Sequence, residues 1–304
     1  MKADSTRVLI VALGANLGIA VAKFVAAAIT GSSAMLTEGV HSLVDSTNQL
    51  LLLYGQKRAK RPPDARHPAG YGRELYFWSF VVALLVFALG AGVSVYEGVL
   101  HLIEPEHSVS PLVAYAVLVI AFALEAGSTL AAFRQFNNNR GALGWWQALI
   151  DTKDAPTVIV LLENGAAMAG IVIAGAGVFL SQITGSPTFD GAASILIGLV
   201  LAFVAIFLAI EAKGLLIGEA ADPALVAGLR SAAARPGVMG VGEVITVHYS
   251  PDQIVANMSV DFDNRISAGE VERIVADIET EVRSKWPEVM RLYVRPADGA
   301  GIRS

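Results

Sequence analysis

Six runs of roughly 20–26 mostly apolar residues constrain this chain more than any other feature. They lie at about 7–29, 33–55, 75–101, 111–134, 155–181 and 189–212. A helix rises about 1.5 Å per residue, so each run is long enough to cross the ~30 Å hydrocarbon core of a bilayer. Composition agrees: 54% of residues are hydrophobic and 16% charged, where soluble domains carry about 25% charge. The mean hydropathy is +0.57. The chain opens MKADSTRVLIVALG, and the apolar run that follows is longer than a signal-peptide core, so it is expected to be a retained first span. The absence of cysteine excludes disulfides and thiolate metal sites.

The connections predict the orientation. The loop between the second and third runs holds Lys57, Arg58, Lys60, Arg61, Arg66 and Arg73, and the fourth-to-fifth connection adds Arg134, Arg140 and Lys153. The other three loops, ITGSS, HLIEPEHSVSP and SQITGSPTFD, contain no Lys or Arg. Basic loops stay on the cytoplasmic side, which predicts a multi-pass membrane protein with both termini cytoplasmic, here expected in a bacterial plasma membrane. The net charge of −5 hides this asymmetry. Topology therefore accounts for the basic loop, and no nucleic-acid partner is expected. Tyr71, Tyr76, Phe77, Trp78 and Phe80 suit an aromatic belt at the start of the third span.

After Lys213 charges become frequent, which divides the chain into an expected transmembrane domain at 1–212 and a cytoplasmic domain at 213–304. DPALVAGLRSAAARPG reads as a helix with an Asp-Pro start. GEVITVHYS and QIVANMSVDFD read as strands of a hairpin. SAGEVERIVADIETEVRSKW is an amphipathic helix with Ser267 and Glu270 in capping-box positions, and VMRLYVRP is a last strand. The expected fold is a six-helix transmembrane bundle followed by a small α+β domain of order α-β-β-α-β, ferredoxin-like.

The second run carries an unusual stripe. Glu38, His41, Asp45 and Asn48 are spaced three, four and three, which places them within roughly 80° of one helix side. An ionisable group at the bilayer centre costs about 2.5–3.5 kcal/mol on insertion scales, so such groups need partners. His41 and Asp45 stand one turn apart and can touch one ion; imidazole and carboxylate are both ligands of Zn²⁺. Glu38 is level with Lys23 of the first span, and the two could form an ion pair. Further ligands must come from other helices. In the fifth run Glu163 and Asn164 lie about nine or ten residues from the inner end, and Asp45 lies about ten from the inner end of its own, both roughly 14–15 Å deep. Asp151 and Asp154 are nearer the cytoplasmic face, as a vestibule or as solvated charges. Glu125 is a mid-membrane carboxylate of the fourth run that could carry a proton or bond a neighbouring helix.

TEGVHSLVDSTNQ, HPAGYGRELYFWSF, LLENGAAMAG and FDGAASILIGL, with the tail order, resemble the cation diffusion facilitator family over nearly the whole chain. The resemblance is strongest to its mitochondrial-zinc-transporter-like branch. It implies a homodimeric transporter, not an enzyme, that exports Zn²⁺ or a related divalent ion in exchange for protons and uses no cofactor. The metal set would be His41, Asp45, Asn48, Glu163 and Asn164. Where common members carry a histidine and an aspartate in the fifth span, this chain has Val160 and Asn164, with Glu163 adjacent. The oxygen-rich set that results also suits Mn²⁺ or Fe²⁺. His248 is the sole tail histidine, and Asn257 and Val294 occupy places where family ligands often stand, so little or no metal is expected in the tail. His67, His101 and His107 are expected to be polar surface, and Asp261 and Asp263 to face solvent. The rival readings are an intramembrane metalloenzyme, which lacks an HExxH motif here, and a membrane-anchored metal sensor.

Overall fold

The computed structural model describes residues 3–30, 33–104, 111–141, 143–186 and 188–298; within these, the side chains of 3–5, 26–27, 29–30, 33–41, 44, 87, 111 and 113–114 fall outside the description. The first two expected spans are the helices α1 (Ala3–Thr30) and α2 (Ser33–Ala59). The third is interrupted: α3 (Glu74–Leu85) passes through a π-helical turn (Val86–Ala91) into α4 (Gly92–Ile103). Next come α5 (Pro111–Asn139), a short α6 (Trp145–Asp151) that periodicity did not signal, α7 (Ala155–Thr184) and α8 (Thr188–Ile217). Five of these spans are long and apolar enough among the described residues to cross a membrane. α2, the least apolar of the long helices, is the one that carries the polar stripe.

Helices α1 and α2 run antiparallel, as polar bonds along their length show. Thr6 Oγ1 donates to Gln56 Oε1 at 2.8 Å, Asn16 Nδ2 to Gln49 Oε1 at 3.2 Å, and Lys23 Nζ to Ser42 Oγ at 2.9 Å. Ser42 and Gln49 stand within ~20° of one another around α2, so one face of that helix is committed to α1. The helices meet in one apolar core, which includes Leu9, Leu52, Val82, Phe136, Ile159 and Leu208. α7 is buried all round from Ala155 to Leu161, which marks it as the central helix. Large apolar side chains such as Val21, Leu50, Val119, Val172 and Phe203 point outward, as a lipid-facing surface requires.

α4 and α8 approach backbone to backbone. A Cβ on Gly98 would stand 2.8 Å from the Gly191 carbonyl oxygen, and one on Gly198 2.6 Å from Val95 Cγ2. Only small residues permit this contact in a membrane. His101 Nδ1 lies 3.5 Å from Asp190 Oδ2 across the outer end of the same pair. At the inner end, Arg58 donates to Glu74 Oε1 at 2.7 Å and Trp78 Nε1 to Glu74 Oε2 at 3.0 Å. Trp145 stacks on Phe133 at 4.8 Å and Trp146 sits 5.9 Å from Phe207, so α6 contributes aromatic rings suited to an interface.

The tail follows the expected order: α9 (Pro223–Ala233), β1 (Val238–Ser250), β2 (Gln253–Phe262), α10 (Ala268–Lys285) and β3 (Val289–Pro296). The sheet order is β1-β2-β3. β1 and β2 form an antiparallel hairpin, while β2 and β3 are parallel and joined through α10, the crossover that a parallel pair needs. Ile254, Ala256, Met258 and Val260 of β2 alternate inward against Leu225 and Leu229 of α9 and Ile278 and Val282 of α10. Asp222 caps α9, and the Ser267–Glu270 capping box opens α10.

Contacts divide the chain into two compact units, and the division departs from the expected boundary in one place. One unit comprises 2–58 and 74–213; the loop 59–73 belongs with the chain from Gly214 onward. The reason is local. Asp64 accepts from the backbone of Arg66 and His67 and from Tyr71 Oη at 2.6 Å, which folds the loop on itself. The Tyr71 hydroxyl, more than any other contact, holds the Asp64 carboxyl below the usual carboxylate range. Arg73 then lies over the Tyr249 ring at 4.5 Å, and Arg291 Nη2 donates to the Pro68 carbonyl at 3.3 Å.

Candidate metal centre

The buried inner half of α7 delivers Glu163 and Asn164 to the interior of the bundle. Asn48 Nδ2 donates to Glu163 Oε1 at 3.1 Å, and Gln49 Nε2 reaches Glu163 Oε2 at 3.5 Å. Gln49 is in turn held by Asn16, so α1, α2 and α7 are joined by one chain of side-chain amides ending on a carboxylate. α2 runs on to Ala59, beyond the run read from hydropathy. Asn48, eleven residues from that end, therefore meets Glu163, eight residues from the start of α7. Asp45 stands one turn further out, half-buried, and its charge acts on both Glu163 and Glu125.

Asn164 turns to α5, where its Nδ2 donates to Ser128 Oγ at 2.6 Å. Glu125, one turn from Ser128, is buried as well. Val160 is buried in the apolar core. The side chains of His41 and Glu38 lie outside the described residues, so the His41–Asp45 pairing and the Lys23–Glu38 pair lie there too. Among the described residues no three His, Asp or Glu side chains gather tightly enough to hold a metal by themselves. Gln49, Asn16 and Ser128 escaped the sequence reading. Their signal was present: each is a polar residue within a mostly apolar span, Gln49 beside Asn48, Ser128 one turn from Glu125, and Asn16 two turns from Lys23.

The remaining candidates fall elsewhere. Asp154 sits at the start of α7 and accepts from Thr157 Oγ1 at 2.8 Å, where a carboxylate also favours the helix dipole. His67 lies 3.6 Å from Asp64 and packs against Tyr71. His107 is outside the described residues. In the tail, His248 Nδ1 is 3.1 Å from the Ser250 carbonyl oxygen. Asp263 binds Arg265 at 2.7 Å, which holds its carboxyl down at about 2.

Membrane-spanning helices that turn carboxylates and amides inward are the setting in which membrane proteins place ion and proton sites. The comparison with known proteins gives the family: the model of the cation efflux transmembrane domain matches residues 9–217, and the chain belongs to the cation efflux, or cation diffusion facilitator, family. It is therefore an integral, multi-pass membrane protein of that family. The human "Proton-coupled zinc antiporter SLC30A9, mitochondrial" is 32% identical over 247 residues, 80% of this chain and 44% of that protein. "Metal tolerance protein C4" of Arabidopsis thaliana is 34% identical over 224 residues, 72% of this chain and 48% of that protein. "Magnetosome protein MamB" of Magnetospira sp. (strain QH-2) is 26% identical over 277 residues, covering 88% of this chain and 87% of that protein. The chain thus spans less than half the length of the first two of these relatives.

Proposed function

We propose that the chain exports a divalent cation, Zn²⁺ before Mn²⁺ or Fe²⁺, from the cytoplasm in exchange for protons. The ion is held between α2 and α7 by His41, Asp45, Asn48, Glu163 and Asn164. The observation that carries this is the Asn48–Glu163 bond, which joins the polar stripe to the carboxylate of the central helix inside the bundle, with the Asp45 charge in range. The names of the human and plant relatives support a metal substrate, and the human one supports proton coupling.

Exchange follows from ligand chemistry. Imidazole and carboxylate must shed protons to bind a metal, so metal and protons compete for one site. An imidazole, with an ordinary value of about 6.5, gains its proton on the more acidic side and releases the ion there. Access alternates by rocking of the bundle around the site. The region from 213 onward serves as a cytoplasmic dimerisation domain, so the working unit is a homodimer in the lipid bilayer with both termini inside. The membrane is a bacterial plasma membrane, which fractionation tests; the human relative's name places that protein in mitochondria.

The test is uptake of radiolabelled Zn²⁺ by liposomes holding the full chain, with and without an imposed pH gradient. Gradient-driven uptake that Asp45→Asn or Glu163→Gln lowers by about tenfold or more is the expected result. Metal binding without any flux would instead make the protein a membrane-anchored sensor.

A further inference from the structure

We propose that Glu125 is a cation ligand, the oxygen donor through which α5 joins the site formed by α2 and α7. This rests on the α2–α7 reading above and extends it to a third helix. Glu125 lies fourteen residues from each end of α5, at the middle of its span. It is 6% exposed, and its Oε2 has no hydrogen-bond partner among the described residues. A carboxylate buried at that depth takes up either a proton or a positive partner. Of the described charged groups, Asp45 repels Glu125, and Lys23, whose ammonium donates to Ser42 Oγ, attracts it. Glu163 in turn feels both Asp45 and Glu125, so the three carboxylates form one electrostatic group.

A second observation points to a ligand. Asn48 is 2% exposed, and while its Nδ2 is bound to Glu163, its Oδ1 is also buried without a partner among the described residues. Two buried oxygens, Asn48 Oδ1 on α2 and Glu125 Oε2 on α5, thus lack donors among the described residues, and the helices that carry them are bonded to α7 at the neighbouring residues Glu163 and Asn164. The Asn164–Ser128 bond at 2.6 Å locks α5 to α7 one turn from Glu125 and fixes the face that carries it. A divalent cation bridging α2, α5 and α7 would supply the positive partner that these oxygens lack. An all-oxygen addition of this kind suits hard ions, so Glu125 also widens the range of metals held toward Mn²⁺.

Glu125→Gln keeps the size and hydrogen-bonding capacity of the side chain and removes its charge. Calorimetric titration of the purified full chain with Zn²⁺ and with Mn²⁺ should show affinity lowered about tenfold or more, with the greater loss for Mn²⁺. Parent-like affinity in Glu125→Gln overturns the proposal, because a residue that only bonds neighbouring helices tolerates the amide. A measurement on the unaltered protein covers a variant that does not fold. A hydrophobic carbodiimide labels buried carboxyls, and peptide mass spectrometry locates the label. Zn²⁺ should protect Glu125 over the same concentration range as it protects Glu163. Protection of Glu163 alone overturns the proposal and leaves the α2–α7 site standing. If Asp45→Asn and Glu163→Gln also bind Zn²⁺ as the parent does, the α2–α7 site itself falls, and the proposal falls with it.

Discussion

Asn48 holds a carboxylate with its amide hydrogens and keeps its oxygen turned inward, a division of labour that neither serine nor leucine could perform there. Asn48→Ala removes a hydrogen bond to Glu163, worth about 1.5–3 kcal/mol for a charged acceptor. The expected outcome is a lower melting temperature in detergent together with weaker Zn²⁺ binding, both read on the same purified sample. At this scale the sequence showed which positions were polar where they ought not to be. Asn48, Glu163 and Asn164 were singled out from depth and periodicity alone, and the first two meet. Periodicity could not show which partner each takes. Asn164 turns to Ser128 on α5 because α7 is surrounded on all sides, and a helix wheel does not reveal the neighbours of a central helix.

Among the helices, the α4–α8 contact is the most exacting, since its backbones touch where lipid offers no hydrophobic drive. Gly198→Ala or Gly98→Ala forces a methyl into space held by Val95 or Ile195, which costs about 1–3 kcal/mol as overpacking. Thermal unfolding should register the loss, while the conservative Leu199→Met, on the exposed face of α8 outside that contact, should not. In the tail, the Asp263–Arg265 pair makes a prediction in pH. The carboxyl is held at about 2, chiefly by the hydrogen bond from Arg265. A depressed carboxyl gives its stabilisation in full above its unfolded value of about 3.9 and loses it as pH falls toward the folded value. Hydrogen-exchange protection of 261–267 should thus be lower in Asp263→Asn than in the parent at neutral pH, with the difference closing below about pH 3. The long helices and every tail element were legible in the sequence. The π-helical turn and α6 were not: both are too short to establish a period, and the first hides inside a continuous apolar run.

For the molecule as a whole, the loop 59–73 is the instructive segment. Read from the sequence it is a basic connection of the membrane domain, expected on the cytoplasmic side. In the fold it is part of the tail's unit, held by contacts of Arg73 with Tyr249 and Arg291 with Pro68 that lie far apart in the chain. Tyr249→Ala should raise hydrogen exchange in 64–73 as well as at the β1–β2 turn, and leave α10 unchanged. Equal protection in all three would mean that the loop is held by its own Asp64–Tyr71 bond alone. No local pattern could have announced this docking, because pattern reports on faces and lengths and not on which surfaces meet.

The ladder between α1 and α2 bears on how the protein is made. α2 leaves the ribosome before α5 and α7 exist, so Asn48 reaches the insertion machinery, with Asp45 one turn away, before Glu163 is there to accept its bond. Thr6, Asn16 and Lys23 have already emerged and offer Gln56, Gln49 and Ser42 their bonds at once. The first two helices are thereby suited to enter the bilayer as a hairpin, with α1 escorting a partner too polar to partition on its own.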